Sequence, residues 1–402
     1  MSQTEVPPAP TTAASSANGT AAGRVPSTRP AAGSVSVADQ LGLLQNLAGT
    51  WQGTGFNLIA RPDEVDQANL YLQLSQTAET LTVTPIGSPI PNRGFGQRDI
   101  ELHGLNYLQK ISDRLTGGAL HLEPGLWVTQ GPTDYPGEQP PPSGQIIARM
   151  GSIPHGTTIL AQGNAAKFTG PPVLPADGAP YAGSVFPSFN STPFPAPGAA
   201  SPAVLNAAGS SEALTAPQIP APPFSEYDLT VPASALNPRT PFNSDDPPLP
   251  DQIGGVLMQD LVNDPIRLLQ EVISRQADQG HTFEGVALNI ATQSSVQFRV
   301  DPDSPKGPAQ TVTVADAAGA TGNILFLEGG EPAGPKGPNA QTSLVYATFW
   351  ITEVTPKAGR PFLQLQYAQM TVLDFPIFKA LPAVINLGWP HITVATLRKT
   401  FG

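Results

Sequence analysis

Chemistry in this chain of 402 residues must begin with its five histidines, because there are no cysteines to supply a thiolate nucleophile, a disulfide or a soft metal ligand. His103, His121, His155, His281 and His391 are scattered. No two of them have the i, i+2 or i, i+4 spacing at which one strand or one helix presents a pair of imidazoles to zinc, so a zinc site is not supported. A phosphate-binding Walker loop, a G-x-S-x-G elbow, an H-E-x-x-H helix and a dinucleotide fingerprint are all absent from the sequence. His391 stands in "WPHITVATLRK", where its plain reading is a strand-start histidine bonded to nearby backbone. His121 reads as a polar residue at a loop-to-strand junction and His155 as part of a turn. Glu79, Asp99, Glu101 and Glu123 show no paired arrangement and are expected to be solvated. Arg93, in "IPNRGFGQ", is a candidate partner for an anionic group through a charge-assisted bond, or a turn arginine.

The elements that must position these residues are mostly strands. With 47 prolines and 39 glycines, much of the chain is barred from helix and strand interiors. Residues 1–35 are Ala, Ser, Thr, Pro and Gly with few large apolar groups, too little to offset the entropy of ordering them, and read as a disordered tail. "VADQLGLLQNL" sets Val37, Leu41, Leu44 and Leu47 at helical spacing ahead of a strand, "AGTWQGTGFNLIA". Alternating or apolar runs follow, each bounded by Pro or Gly, to about residue 170. Such short strands with turn signals indicate an antiparallel sandwich or barrel. One further helix is expected where Asp264 caps, Pro265 opens, Ile266, Leu269 and Ile273 line one face, and Gly280 ends it. Later, Leu363, Leu365 and Tyr367 alternate with Gln364 and Gln366, as in a strand with one buried face.

The expected organisation is one all-β domain over 36–402. Its barrel halves would be 36–170 and 335–402, and 171–334 would be a Pro-rich insertion with a helix and extra strands. Charged residues are only 13% and the formal net charge is -11, so no basic footprint exists for nucleic acid or an anionic membrane surface. Without a secretory leader or a long apolar run, a cytoplasmic protein is the expectation.

Three stretches carry a family resemblance. "LAGTWQGTGF" resembles the G-x-W-x-G-x-G signature of the nitrobindins, small haem-binding β-barrels of lipocalin-like form, with Gly49, Trp51, Gly53 and Gly55 in its four positions. "ALHLEPGLWV" resembles their L-H-x-E-x-G segment at Leu120, His121, Glu123 and Gly125, and "WPHITVATLRK" resembles their closing P-H strand. The similarity covers roughly residues 36–165 and 340–400. It implies a haem b group with His391 as its proximal iron ligand and His121 near the open side. It also implies binding of, or reaction with, nitric oxide, peroxynitrite or a peroxide, with peroxynitrite isomerisation as the activity associated with the family. Trp51 would then plug one barrel end or touch the cofactor, Gly53 and Gly55 would admit a close neighbour or the macrocycle, and Arg93 would meet a haem propionate. The rival expectation is a non-catalytic carrier of a small apolar ligand, since small barrels enclose room for one.

Overall fold

Alternation of apolar and polar side chains dictates most of the chain's structure. The computed structural model describes residues 37–63, 68–92, 100–130, 145–153, 158–174, 250–292, 295–298, 310–313, 341–377 and 385–400. A helical turn, α1 (Val37–Leu41), runs into a 3-10 turn at Gly42–Leu47 and then into β1 (Gly49–Asp63) and β2 (Ala68–Pro85). A short β3 (Ile90–Asn92) precedes β4 (Ile100–Asp113), β5 (Ala119–Gln130), β6 (Gln145–Ser152) and β7 (Thr158–Thr169). The small hairpin of β8 (Gln252–Ile253) and β9 (Val256–Leu257) leads into α2 (Met258–Asn263), α3 (Arg267–Asp278) and β10 (Thr282–Ala291). A second hairpin, β11 (Ser295–Phe298) with β12 (Gln310–Thr313), comes before the long closing strands β13 (Gln341–Thr355), β14 (Phe362–Ile377) and β15 (Ile385–Thr400).

Ten of these strands form one closed antiparallel barrel in the order β1, β2, β4, β5, β6, β7, β10, β13, β14, β15 and back to β1. Pairing of β2 with β4 and of β1 with β15 completes the ring, and β3 lies beyond it on β4. Closure pairs each of the ten staves with a neighbour on both sides over its central part. Residues 171–334, expected as an insertion between two barrel halves, supply one of the staves: β10 sits between β7 and β13. Its Val286, Leu288 and Ile290 alternate into the core, which is what a barrel position demands.

One end of the barrel is sealed. Leu44 and Leu47 of the 3-10 turn pack with Trp51, Leu81 and Leu397, all buried, and the indole Nε1 of Trp51 donates to the Leu47 carbonyl at 2.8 Å. The helix expected over residues 37–47 stops at Leu41 because Gly42 takes φ +55°, which an α-helix cannot contain. Gln145 ties this plug to the rim, accepting from Leu43 N at 2.7 Å and donating to the Leu41 carbonyl at 2.8 Å.

Helix α3 covers the outer wall. Asp264 accepts from the Ile266 amide at 3.2 Å and so caps the turn ahead of the helix, and Gly280 at φ +75° ends it. The Gln276 amide donates to Gln364 Oε1 at 2.8 Å and Gln366 Nε2 donates to the Leu269 carbonyl at 3.3 Å. Hence Gln364 and Gln366, expected on a solvated face, are 1% and 0% exposed. The alternation seen in the sequence separates two buried faces there: an apolar one inside the barrel and an amide-rich one beneath the helix. Among the described residues no helix is long and apolar enough to cross a membrane.

Candidate functional site

Strand alternation turns several polar side chains inward. Glu79 lies in the same row as Leu81 and Val83, Gln109 with Leu105 and Tyr107, Glu123 with Trp127, Arg149 with Ile147, and Gln369 with Leu365 and Tyr367. These groups meet in one layer above the Trp51 end. Arg149 is its centre, donating from Nη2 to Glu123 Oε1 at 2.8 Å and to Gln109 Oε1 at 3.2 Å, from Nε to the Tyr107 hydroxyl at 3.0 Å, and from Nη1 to Gln369 Oε1 at 2.7 Å. Tyr107 in turn donates to Glu123 Oε1. On the other side of Gln109, its Nε2 donates to Glu79 Oε1 at 2.8 Å, and Tyr367 donates to Glu79 Oε2 at 2.7 Å.

Aromatic faces complete the cage. The Arg149 guanidinium carbon lies 5.3 Å from the Tyr107 ring centroid, 5.7 Å from that of Trp127 and 5.2 Å from that of Phe349. Phe349 stacks on Tyr367 at 5.1 Å and meets Trp127 edge-on at 5.3 Å. A cation enclosed by ring faces and charge-assisted bonds keeps its charge despite burial.

The two carboxyls are driven apart. Burial would raise Glu123, but the Arg149 guanidinium and the bonds from His121 and Tyr107 overcome it and hold the group down at about 2. Glu79 is pushed up to about 7 by burial, which the bonds from Tyr367 and Gln109 offset only in part. Burial likewise raises Tyr107 and, well above the usual phenol range, Tyr367.

His121 extends this network toward the end of the barrel away from Trp51. Its Nε2 lies 3.1 Å from Glu123 Oε2, and its side chain is 20% exposed where that of Glu123 is 0%. With Glu123 ionised, Nε2 carries the proton of that contact. His391 lies toward the same end, in the inward row of β15 with Thr393, Ala395 and Leu397, and is half-buried. Its cross-strand partners are Ile59 of β1 and Thr371 of β14. Three strands, β1, β2 and β4, intervene around the ring between the two histidines, so they belong to well-separated walls.

The inner wall beside His391 is lined by small side chains: Gly55, Ser75, Thr77, Thr393 and Ala395. Asn57 Nδ2 donates to Thr393 Oγ1 at 2.7 Å. The hydroxyl of Thr77 is buried with no hydrogen-bond partner.

Of the residues singled out from the sequence, His121 and His391 lie in the inward rows of the half of the barrel away from Trp51, which closes the opposite end. Gly53 and Gly55 lie on β1 between these levels, and their bareness follows from β15. A Cβ on Gly53 would fall 2.1 Å from the Thr396 carbonyl oxygen, and one on Gly55 would fall 2.1 Å from that of Val394. Arg93, His155 and Asp99 lie outside the described residues, and Glu101 is exposed. The expectation of solvated carboxylates fails for Glu79 and Glu123, which are 4% and 0% exposed, because their strand rows point into the barrel. Sequence reasoning missed Arg149, Tyr107, Gln109 and Tyr367. The available signal was a polar residue two places from an inward aliphatic, as Arg149 is from Ile147 and Glu79 from Leu81.

No protein-family model matches the sequence, and no curated protein matches it. Among solved structures, the chain is similar to the one described as the crystal structure of Rv2717c from M. tuberculosis, at 9% sequence identity over 90% of this chain and 98% of that chain, with a TM-score of 0.28.

Proposed function

We propose that the half of the barrel away from Trp51 binds a haem b group, held through the imidazole of His391. The observation that carries this reading is the setting of His391: an inward histidine on β15, beside a wall of Ser75, Thr77, Thr393 and Ala395. Bulky residues there would fill the space a flat macrocycle needs. The orphaned hydroxyl of Thr77 points the same way, because a buried polar atom without a partner is costly unless an occupant meets it. A neutral imidazole is a good axial ligand, and no second histidine shares the His391 row, so a bound iron would keep one position open for nitric oxide, peroxynitrite or a peroxide.

The chain's own residues then have distinct work. The Trp51 plug keeps water out from below. Glu123 fixes the tautomer and orientation of His121 on a wall well separated from that of His391, as a buried carboxylate does for a histidine that must act in one direction. The Arg149 cage holds Glu123 in turn.

A visible absorption spectrum after haem loading and removal of the excess tests the reading. The expected result is a Soret band that His391→Ala abolishes while far-ultraviolet circular dichroism stays β-rich. A band of unchanged position and intensity in His391→Ala would refute the assignment. Absence of a band in the parent protein would leave the barrel as a carrier of some other small molecule.

A further inference from the structure

The polar layer contains two buried carboxyls and one guanidinium. Arg149 touches Glu123 directly, whereas the groups bonded to Glu79 are the Tyr367 hydroxyl and the Gln109 amide, neither of which brings a positive charge. A second uncompensated carboxylate in so dry a place costs several kcal/mol, and the ordinary remedy is to keep a proton on it. We propose that Glu79 is a proton-holding site in this polar layer, which switches the layer between neutral and singly negative while Glu123 stays ionised.

The surroundings of Glu79 support a reversible site. From β14 Tyr367 offers a hydroxyl that can turn: it donates to the carboxylate, and when Oε2 gains the proton that oxygen donates to Tyr367 instead. From β4 come Gln109, bonded to Glu79 Oε1, and the hydroxyl of Tyr107, which is committed to Glu123. Arg149 of β6 and Glu123 of β5 act on Glu79 through space with opposite signs, and β1 presents Gly53 opposite. Burial sets the changeover at about 7, so the switch falls within the physiological range.

The consequence for an occupant rests on the haem reading: with Glu79 ionised the layer is negative and favours the cationic core of ferric haem. The proton site itself does not rest on it.

Infrared difference spectra of the haem-free protein between pH 5.5 and 8.5 test the site. The expected signature is a carboxylic-acid C=O stretch that disappears with a midpoint near 7, is absent in Glu79→Gln and persists in Glu123→Gln. No such band, or one that survives Glu79→Gln, would overturn the proposal. Ferric haem is then titrated into the parent protein and into Glu79→Gln at pH 6 and pH 8. Any pH dependence common to the two proteins cancels in this comparison, so the difference between them isolates Glu79. The parent should gain up to about tenfold more affinity on going to pH 8 than the variant does. An equal gain in both would overturn the coupling to the occupant. Failure of either protein to take up haem, with the infrared band intact, would overturn the haem reading alone.

Discussion

Arg149 and Glu123, on neighbouring strands and twenty-six residues apart, meet at 2.8 Å inside a closed barrel, and each is shielded from water almost completely. An ion pair in that position is expensive to make and more expensive to break, because the survivor of a deletion is a bare charge in a dry cavity.

Arg149→Met should therefore lower stability by about 3–5 kcal/mol. Combining it with Glu123→Gln should recover part of the loss, since the uncompensated carboxylate is then gone. Urea midpoints of the two single variants and the double variant check this, and strict additivity would contradict the pairing.

Glu79 and Glu123 should push stability in opposite directions as pH changes. Glu79 is raised from 4.5 to about 7, so its ionisation opposes the fold: the penalty is absent below 4.5 and grows as pH rises through about 7. It levels off at roughly 3 kcal/mol. Glu123 is lowered from 4.5 to about 2, so it stabilises the fold above 4.5 and loses that contribution as pH falls through about 2. Thermal unfolding from pH 3 to 9 should show a fall in stability between pH 4.5 and about 7 that Glu79→Gln removes. A parent profile that rises across that range would contradict the assignment.

Gly55→Ala should destabilise the β1–β15 seam by about 1–3 kcal/mol. The new methyl would meet backbone at 2.1 Å from the Val394 oxygen and 2.9 Å from the Ala395 Cα, atoms that cannot swing away. Denaturant unfolding measures the loss, and a wild-type midpoint would show that the seam can widen.

Thr352→Val should raise stability by about 1 kcal/mol, because the Thr352 hydroxyl, on β13 opposite Gln364, is buried without a partner. Thr129→Val should lower it by a similar amount or more. Its hydroxyl donates to the Ile146 carbonyl at 2.7 Å and accepts from Gln145 at 2.6 Å. The same chemical change at two buried threonines thus has opposite expected signs, readable from paired melting curves.

Much of the barrel was legible because its strands alternate. Leu363, Leu365 and Tyr367 announced an inward row, and Trp51 announced a plugged end. Helix α3 was legible through Asp264, Pro265 and Gly280, although the helix proper begins at Arg267 because the Asp264 turn precedes it. What stayed hidden depends on contacts between distant segments. That Gln364 and Gln366 are dry follows from α3 lying over them, some ninety residues away in sequence. That Glu79 meets Tyr367 follows from closure of the ring across 288 residues. A polar residue in an apolar row marks such a site, but only the folded barrel decides whether its neighbour is water or arginine.

The seam between β1 and β15 has a kinetic consequence. Thr50 pairs with Thr400 and Ile59 with His391, so the stave laid down first during synthesis waits for the last before the ring can close. Until then one side of β1 is an open strand edge and the interior, with its unpaired Glu79, is open to solvent. Non-local closure of this kind folds slowly, and the nascent chain passes through a stage in which it can pair with another copy of itself.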